Sequence, residues 1–81
     1  MLEDLKMATQ EEVAELLHTH KDTIVMLREI GAILPTKIGK CYMFSQDEIR
    51  RFQHDYRGLD VSNKVKALES YRKVTAGTVT Q

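Results

Sequence analysis

The stretch from Val13 to Gly31, VAELLHTHKDTIVMLREIG, constrains this chain more than any other. Apolar residues fall at Val13, Leu16 and Leu17 and again at Ile24, Leu27 and Ile30, both sets at helical spacing. Only His18-Thr19-His20 separates the two sets, too short a connection for a wandering loop. Small Ala14 leaves room for a second helix to come close. The spacing predicts two short helices that are joined by a tight turn and cross steeply, the geometry of a helix-turn-helix.

The boundaries of these helices are written in residue types. Thr9 with Glu12 makes a T-x-x-E capping box, so the first helix starts there and runs to about Leu17, with Glu11 and Glu12 suiting its positive end. His18 stands where a left-handed backbone is commonly needed, a conformation that histidine tolerates better than most side chains. Either Thr19 or His20 caps the second helix; if Thr19 does, Asp22 completes a weaker box. That helix runs from about Lys21 to Ile30 and stops at Gly31. Its inward face is Ile24, Leu27 and Ile30; its outward face is Lys21, Asp22, Val25, Arg28 and Glu29, with Met26 at the edge.

After Ala32 the period changes from helical to alternating. Leu34–Ile38 reads as one strand, Gly39-Lys40 as a two-residue type II′ turn, and Cys41–Phe44 as the return strand. Alternation carried through the turn puts Ile38, Tyr42 and Phe44 on one face and Lys37, Cys41 and Met43 on the other. Ser45 with Glu48 forms a second capping box, and Gln46–Arg57 reads as a third helix with a stripe of Ile49, Phe52 and Tyr56, ended by Gly58. A fourth helix is expected from Ser62 to about Val74, with Val65, Leu68 and Tyr71 or Arg72 as its stripe. The stretch Met1–Lys6 reads as a frayed end or helical stub from which Leu2 and Leu5 could dock, and Thr75–Gln81 as a mobile tail. The expected fold is mainly α with a small β-hairpin wing. Residues 1–58 form a winged helix-turn-helix domain, and residues 59–81 an extra C-terminal helix and tail.

Eighty-one residues make one small domain with a modest core. No apolar run approaches membrane-spanning length and no signal-peptide pattern opens the chain, so a cytoplasmic, soluble protein is expected. Cys41 is the only cysteine, which rules out an internal disulfide. Formal charge is balanced, but unevenly distributed. From Met1 to Leu17 five acids face Lys6 alone, whereas from His18 to Phe44 Lys21, Arg28, Lys37 and Lys40 outnumber Asp22 and Glu29. After Gly58, Lys64, Lys66, Arg72 and Lys73 outnumber Asp60 and Glu69. Positive charge is thus gathered on the parts able to meet a phosphate backbone.

The ordered segments MATQEEVAELL, HTHKDTIVMLREIG, LPTKIGKCYMF and SQDEIRRF together resemble the excisionase-family, MerR-like winged helix-turn-helix domains found in phages and mobile elements. The resemblance covers Met7 to Phe52. It implies that the second helix lies in the major groove of double-stranded DNA, with Lys21, Asp22, Thr23 and Val25 toward base edges or phosphates and Arg28 on a phosphate. It implies that Lys37, Lys40 and Cys41 on the wing lie against the backbone or in the minor groove. The implied role is that of an excisionase or a small transcription regulator. The fourth helix, outside the resemblance, could dock on the domain, drive self-association through residues 62–74, or contact an integrase or another phage protein. This chain departs from the family pattern at His18, where glycine is usual, and at Val25, Met26, Cys41 and Met43, where bases are common.

Other classes fit less well. A protein-interaction module that kept the fold is supported by the neutral charge and the Val25-Met26 pair, and a DNA-packaging role of the terminase small-subunit kind stays open. His18, His20 and Cys41 lack a metal-ligand spacing, so no metal or other cofactor is expected. No nucleophile, base and orienting group stand together, and Asp47-Glu48 reads as a helix start, so no enzyme is expected. Tyr42, Phe44 and Phe52 read as core; Arg50-Arg51 reads as an exposed helix face.

Overall fold

The computed structural model describes residues 5–79. A first helix, α1 (Gln10–Leu16), begins where the Thr9 hydroxyl accepts the Glu12 N–H at 3.1 Å and the Glu12 carboxylate accepts the Thr9 N–H at 2.9 Å, completing the expected box. It closes at a left-handed residue, His18, whose φ is 55°. The His18 N–H returns to the Glu15 carbonyl and the Thr19 N–H to the Ala14 carbonyl, satisfying two helix-end acceptors in a Schellman arrangement. The second helix, α2 (Lys21–Ile30), ends in the same way at Gly31, with φ 91° and bonds from Gly31 to Arg28 and from Ala32 to Leu27. Of the two candidate caps for α2, His20 is the one used: its Nδ1 accepts the Asp22 N–H at 3.1 Å. Asp22 therefore does not complete a box with Thr19.

Three strands, not two, form the sheet: β1 (Ala8–Thr9), β2 (Thr36–Ile38) and β3 (Cys41–Phe44), antiparallel in the order β1-β3-β2. β1 has only two residues, too few for any alternation to announce it. β2 starts at Thr36 rather than Leu34, because the Leu34 N–H is taken by the Glu48 carboxylate at 2.8 Å. Gly39 has φ 64°, and no such value occurs at Lys40, as a type II′ turn requires. The register pairs Lys37 with Tyr42, Ile38 with Cys41 and Thr36 with Met43. This corrects the expected faces. Lys37 shares a face with Tyr42 and Phe44; Ile38 shares the other with Cys41 and Met43. A two-residue turn reverses the chain, so facing partners have opposite parity, and alternation cannot be counted through it.

The third helix, α3 (Gln46–Asp55), buries Ile49 and Phe52 and ends at the buried Tyr56, whose ring stacks on Phe52 with centroids 4.7 Å apart. Ser45 caps it by accepting the Glu48 N–H at 3.0 Å. The expected reciprocal half of that box is replaced, since the Glu48 carboxylate holds the Leu34 N–H and the Arg51 guanidinium. Arg51 also donates to the Ala32 carbonyl and to Asp55, so it ties α3 to the α2–β2 connection rather than facing solvent with Arg50.

The fourth helix, α4 (Lys64–Val79), starts where Asn63 Oδ1 accepts the Lys66 N–H at 2.9 Å. Its inward face differs from the expected stripe. Ala67 is fully buried, Ser70 is buried with its hydroxyl donating to the Asp60 carbonyl, and Tyr71 and Val74 are half-buried, while Val65 is 69% exposed. Small residues let this helix lie close against α2, near enough that the Tyr71 hydroxyl stands 3.5 Å from where a Cβ on Gly31 would be. The helix also continues past Val74 through much of the expected tail; Thr80 and Gln81 lie outside the described residues. The expected stub at Met1–Lys6 falls mostly outside them too, and Leu5 is 78% exposed rather than docked.

The core joins all the helices and the sheet through Val13, Ala14, Ile24, Leu27, Ala32, Ile33, Phe44, Ile49, Phe52, Tyr56 and Ala67. Burying each of the larger side chains, Phe44 and Ile24 among them, contributes about 1.5–3 kcal/mol. Leu16, expected inward, is 59% exposed. Among the described residues no helix is long and apolar enough to cross a membrane.

Candidate nucleic-acid interface

The first turn of α2 leaves Lys21 and Asp22 exposed, because His20 caps the helix from outside and Ile24 and Leu27 are the residues of α2 buried in the core. Lys21 Nζ lies 3.8 Å from a Glu11 carboxylate oxygen on α1, so this cation already has an acidic neighbour. Helical spacing sets Asp22 and Glu29 on the ridge farthest from the core, with half-buried Val25 beside them. Thr23 lies on the opposite flank and lines a groove with Leu17, Thr19, Leu59 and Val61. Met26 packs against the core instead of forming an exposed patch with Val25.

Arg28 lies on the flank of α2 that faces the wing. Its Cζ stands 4.0 Å from the centroid of the Tyr42 ring, and its Nε donates to Gln10 Oε1 at 3.0 Å. Lys37 approaches the same ring, with Nζ 5.8 Å from the centroid. An aromatic face attracts cations through its quadrupole, so Tyr42 holds one cation from the helix and one from the wing. Lys40 and Cys41 are exposed at the hairpin tip, and Cys41 lies on the face opposite Tyr42.

The expected site residues therefore divide. Arg28 and Lys37 are brought together; Lys21 stands beside Glu11; Thr23 turns toward the residue 59–61 linker; Lys40 and Cys41 sit apart at the tip. Two contributors were missed by reading the sequence. Tyr42 is expected in the core, and Gln10, the first residue of α1, has no expected role. The first was recoverable from the hairpin register, which sets Tyr42 opposite Lys37; nothing in the sequence marks the second.

Elsewhere the ionisable groups serve the fold. Asp55 is held below the ordinary carboxylate range by His54 and then by Arg51. Glu12 is lowered by the Thr9 backbone N–H, and Asp60 by the Ser62 hydroxyl and N–H. Burial raises Tyr56. No three His, Cys, Asp or Glu side chains among the described residues converge as metal ligands would.

Two crossed helices, a second helix exposed along one side and a three-stranded sheet whose hairpin extends beside it define a winged helix-turn-helix. The model of the helix-turn-helix domain family matches residues 9–56, and the chain belongs to that family, one of DNA-binding domains. No curated protein and no solved structure matches the chain.

Proposed function

We propose that this protein binds double-stranded DNA with α2 in the major groove and the β2–β3 wing against the flanking backbone. It would act as an excisionase-type recombination directionality factor or a small transcription regulator of a phage or mobile element. The observation that supports this most is the placement of Arg28 and Lys37 around one ring, which brings a cation of the helix and a cation of the wing together. Along the ridge of α2, Asp22 accepts from cytosine N4 and Val25 meets a thymine methyl, the base-edge chemistry open to those side chains. Lys21, Lys37 and Lys40 contact phosphates and set position without reading sequence. Self-association through residues 62–74 would use the outer side of α4, where Val65 is exposed.

The test is duplex binding by fluorescence anisotropy at low ionic strength. The unmodified protein binds, and Lys21→Ala and Lys37→Ala each weaken it. No duplex binding at high protein concentration and low salt defeats the proposal. It would favour a second reading, that of a protein-interaction module, which the acidic ridge of Asp22 and Glu29 supports.

A further inference from the structure

We propose that Arg28, Tyr42 and Gln10 form a preformed seat for one phosphodiester group of duplex DNA. Arg28 is the phosphate ligand, and Tyr42 and Gln10 are its positioning residues. The inference rests on the duplex-binding reading above and assigns part of that surface to residues from three elements.

An arginine side chain has large rotamer freedom, and ordering it at the moment of binding costs affinity. Here two contacts within the protein already hold the guanidinium. The guanidinium lies over the Tyr42 ring, with Cζ 4.0 Å from its centroid, and Gln10 Oε1 takes the Nε proton at 3.0 Å. The two terminal nitrogens have no protein partner among the described residues, and they are the pair that binds a phosphate in fork geometry. No carboxylate accepts a hydrogen bond from Arg28 or pairs with it among the described residues. By contrast, Arg50 is paired with Asp47, Arg51 with Glu48 and Asp55, and Lys21 with Glu11. Lys37, over the same ring from the wing, places a second cation beside the seat.

The seat also explains why these residue types stand where they do. Tyr42 occupies the core-side face of β3 one pair beyond Phe44, where the hairpin has left the core and an aliphatic side chain would serve packing alone. Gln10 is the first residue of α1, close enough to α2 to reach Arg28 across eighteen positions of sequence. A neutral amide there accepts the Nε proton without cancelling the charge that a phosphate needs; a glutamate would hold Arg28 equally well and neutralise it.

The experiment measures duplex affinity against salt concentration for Arg28→Ala, Tyr42→Phe, Tyr42→Leu, Gln10→Glu and the Arg28→Ala/Tyr42→Leu double variant. Each phosphate contact contributes about 0.9 to the slope of log affinity against log salt. Arg28→Ala should lose about tenfold in affinity or more at low salt and flatten the slope by about 0.9. Tyr42→Phe keeps the ring and should remain within about twofold of the unmodified protein, whereas Tyr42→Leu should weaken binding and flatten the slope. Gln10→Glu should weaken binding. Tyr42→Leu should cost less once Arg28 is alanine than it does alone, the remainder coming from Lys37 over the same ring, an outcome that a merely structural role for the ring would not give. Tyr42→Leu with an unchanged slope, or losses that add in the double variant, overturns the seat while leaving duplex binding intact. Absence of duplex binding by the unmodified protein overturns both readings together.

Discussion

His18 adopts a left-handed backbone so that α1 can close on the Glu15 and Ala14 carbonyls, the geometry that Gly31 supplies to α2. A side chain in that region is strained by about 1–2 kcal/mol, partly offset by the extra freedom that glycine has in the unfolded chain. His18→Gly should therefore stabilise the domain by about 0.5–1 kcal/mol, read as a higher denaturation midpoint with an unchanged slope. Glu48 is the opposite case: one carboxylate satisfies the Leu34 N–H and holds Arg51. Glu48→Ala should cost about 1–3 kcal/mol in the same measurement. Acid should act on the lowered carboxylates. Asp55 and Glu12 have folded values below their ordinary ones, so the stability they add is complete above the ordinary carboxylate range, near pH 4, and is lost as pH falls through the folded values. A pH titration of the melting temperature should fall below about pH 4, and less steeply in Asp55→Asn.

At the scale of elements, α1, the turn, α2, the hairpin and α3 were legible because each carries its own punctuation: Thr9 and Ser45 as caps, Gly31 and Gly39 at positive φ, and apolar spacing between them. What escaped depends on contacts between elements. The pairing of β1 with β3 is set by packing, and two residues hold no pattern. The inward side of α4 escaped because its fit depends on smallness, so Ala67 and Ser70 turned in while the larger Val65 stayed out. The candidate site was half legible for a similar reason. Its cations were marked by charge, but Tyr42 and Gln10 join it only through register and helix crossing. If α4 belongs to the core, Ala67→Leu should overpack its contact with the rest of the domain and destabilise it by about 1–3 kcal/mol. Val65→Ala, on the exposed side, should stay within about 0.5 kcal/mol; equal effects of the two on thermal unfolding would contradict this packing.

For the molecule as a whole, zero formal charge does not mean a featureless surface. The acids Glu11, Glu12 and Glu15 lie on α1, and the cations Arg28 and Lys37 converge where α2 meets the wing. Asp22 and Glu29 lie on the exposed ridge of α2 beside these cations, and on the duplex-binding reading they would repel phosphates placed out of register. Asp22→Asn should therefore tighten binding to mixed-sequence duplex by a few-fold, seen as a rise in affinity without competitor and a loss of discrimination with it.

The Lys21–Glu11 pair has a consequence for affinity and ion release. Were Lys21 to exchange Glu11 for a phosphate, the DNA would release a condensed cation, while the exposed Glu11 carboxylate would simply return to water. The salt slope would count that contact in full, while the loss of a weak surface pair would take a little from its affinity. Lys21→Ala would then flatten the slope by about 0.9 while lowering affinity less than the loss of an unpaired lysine would.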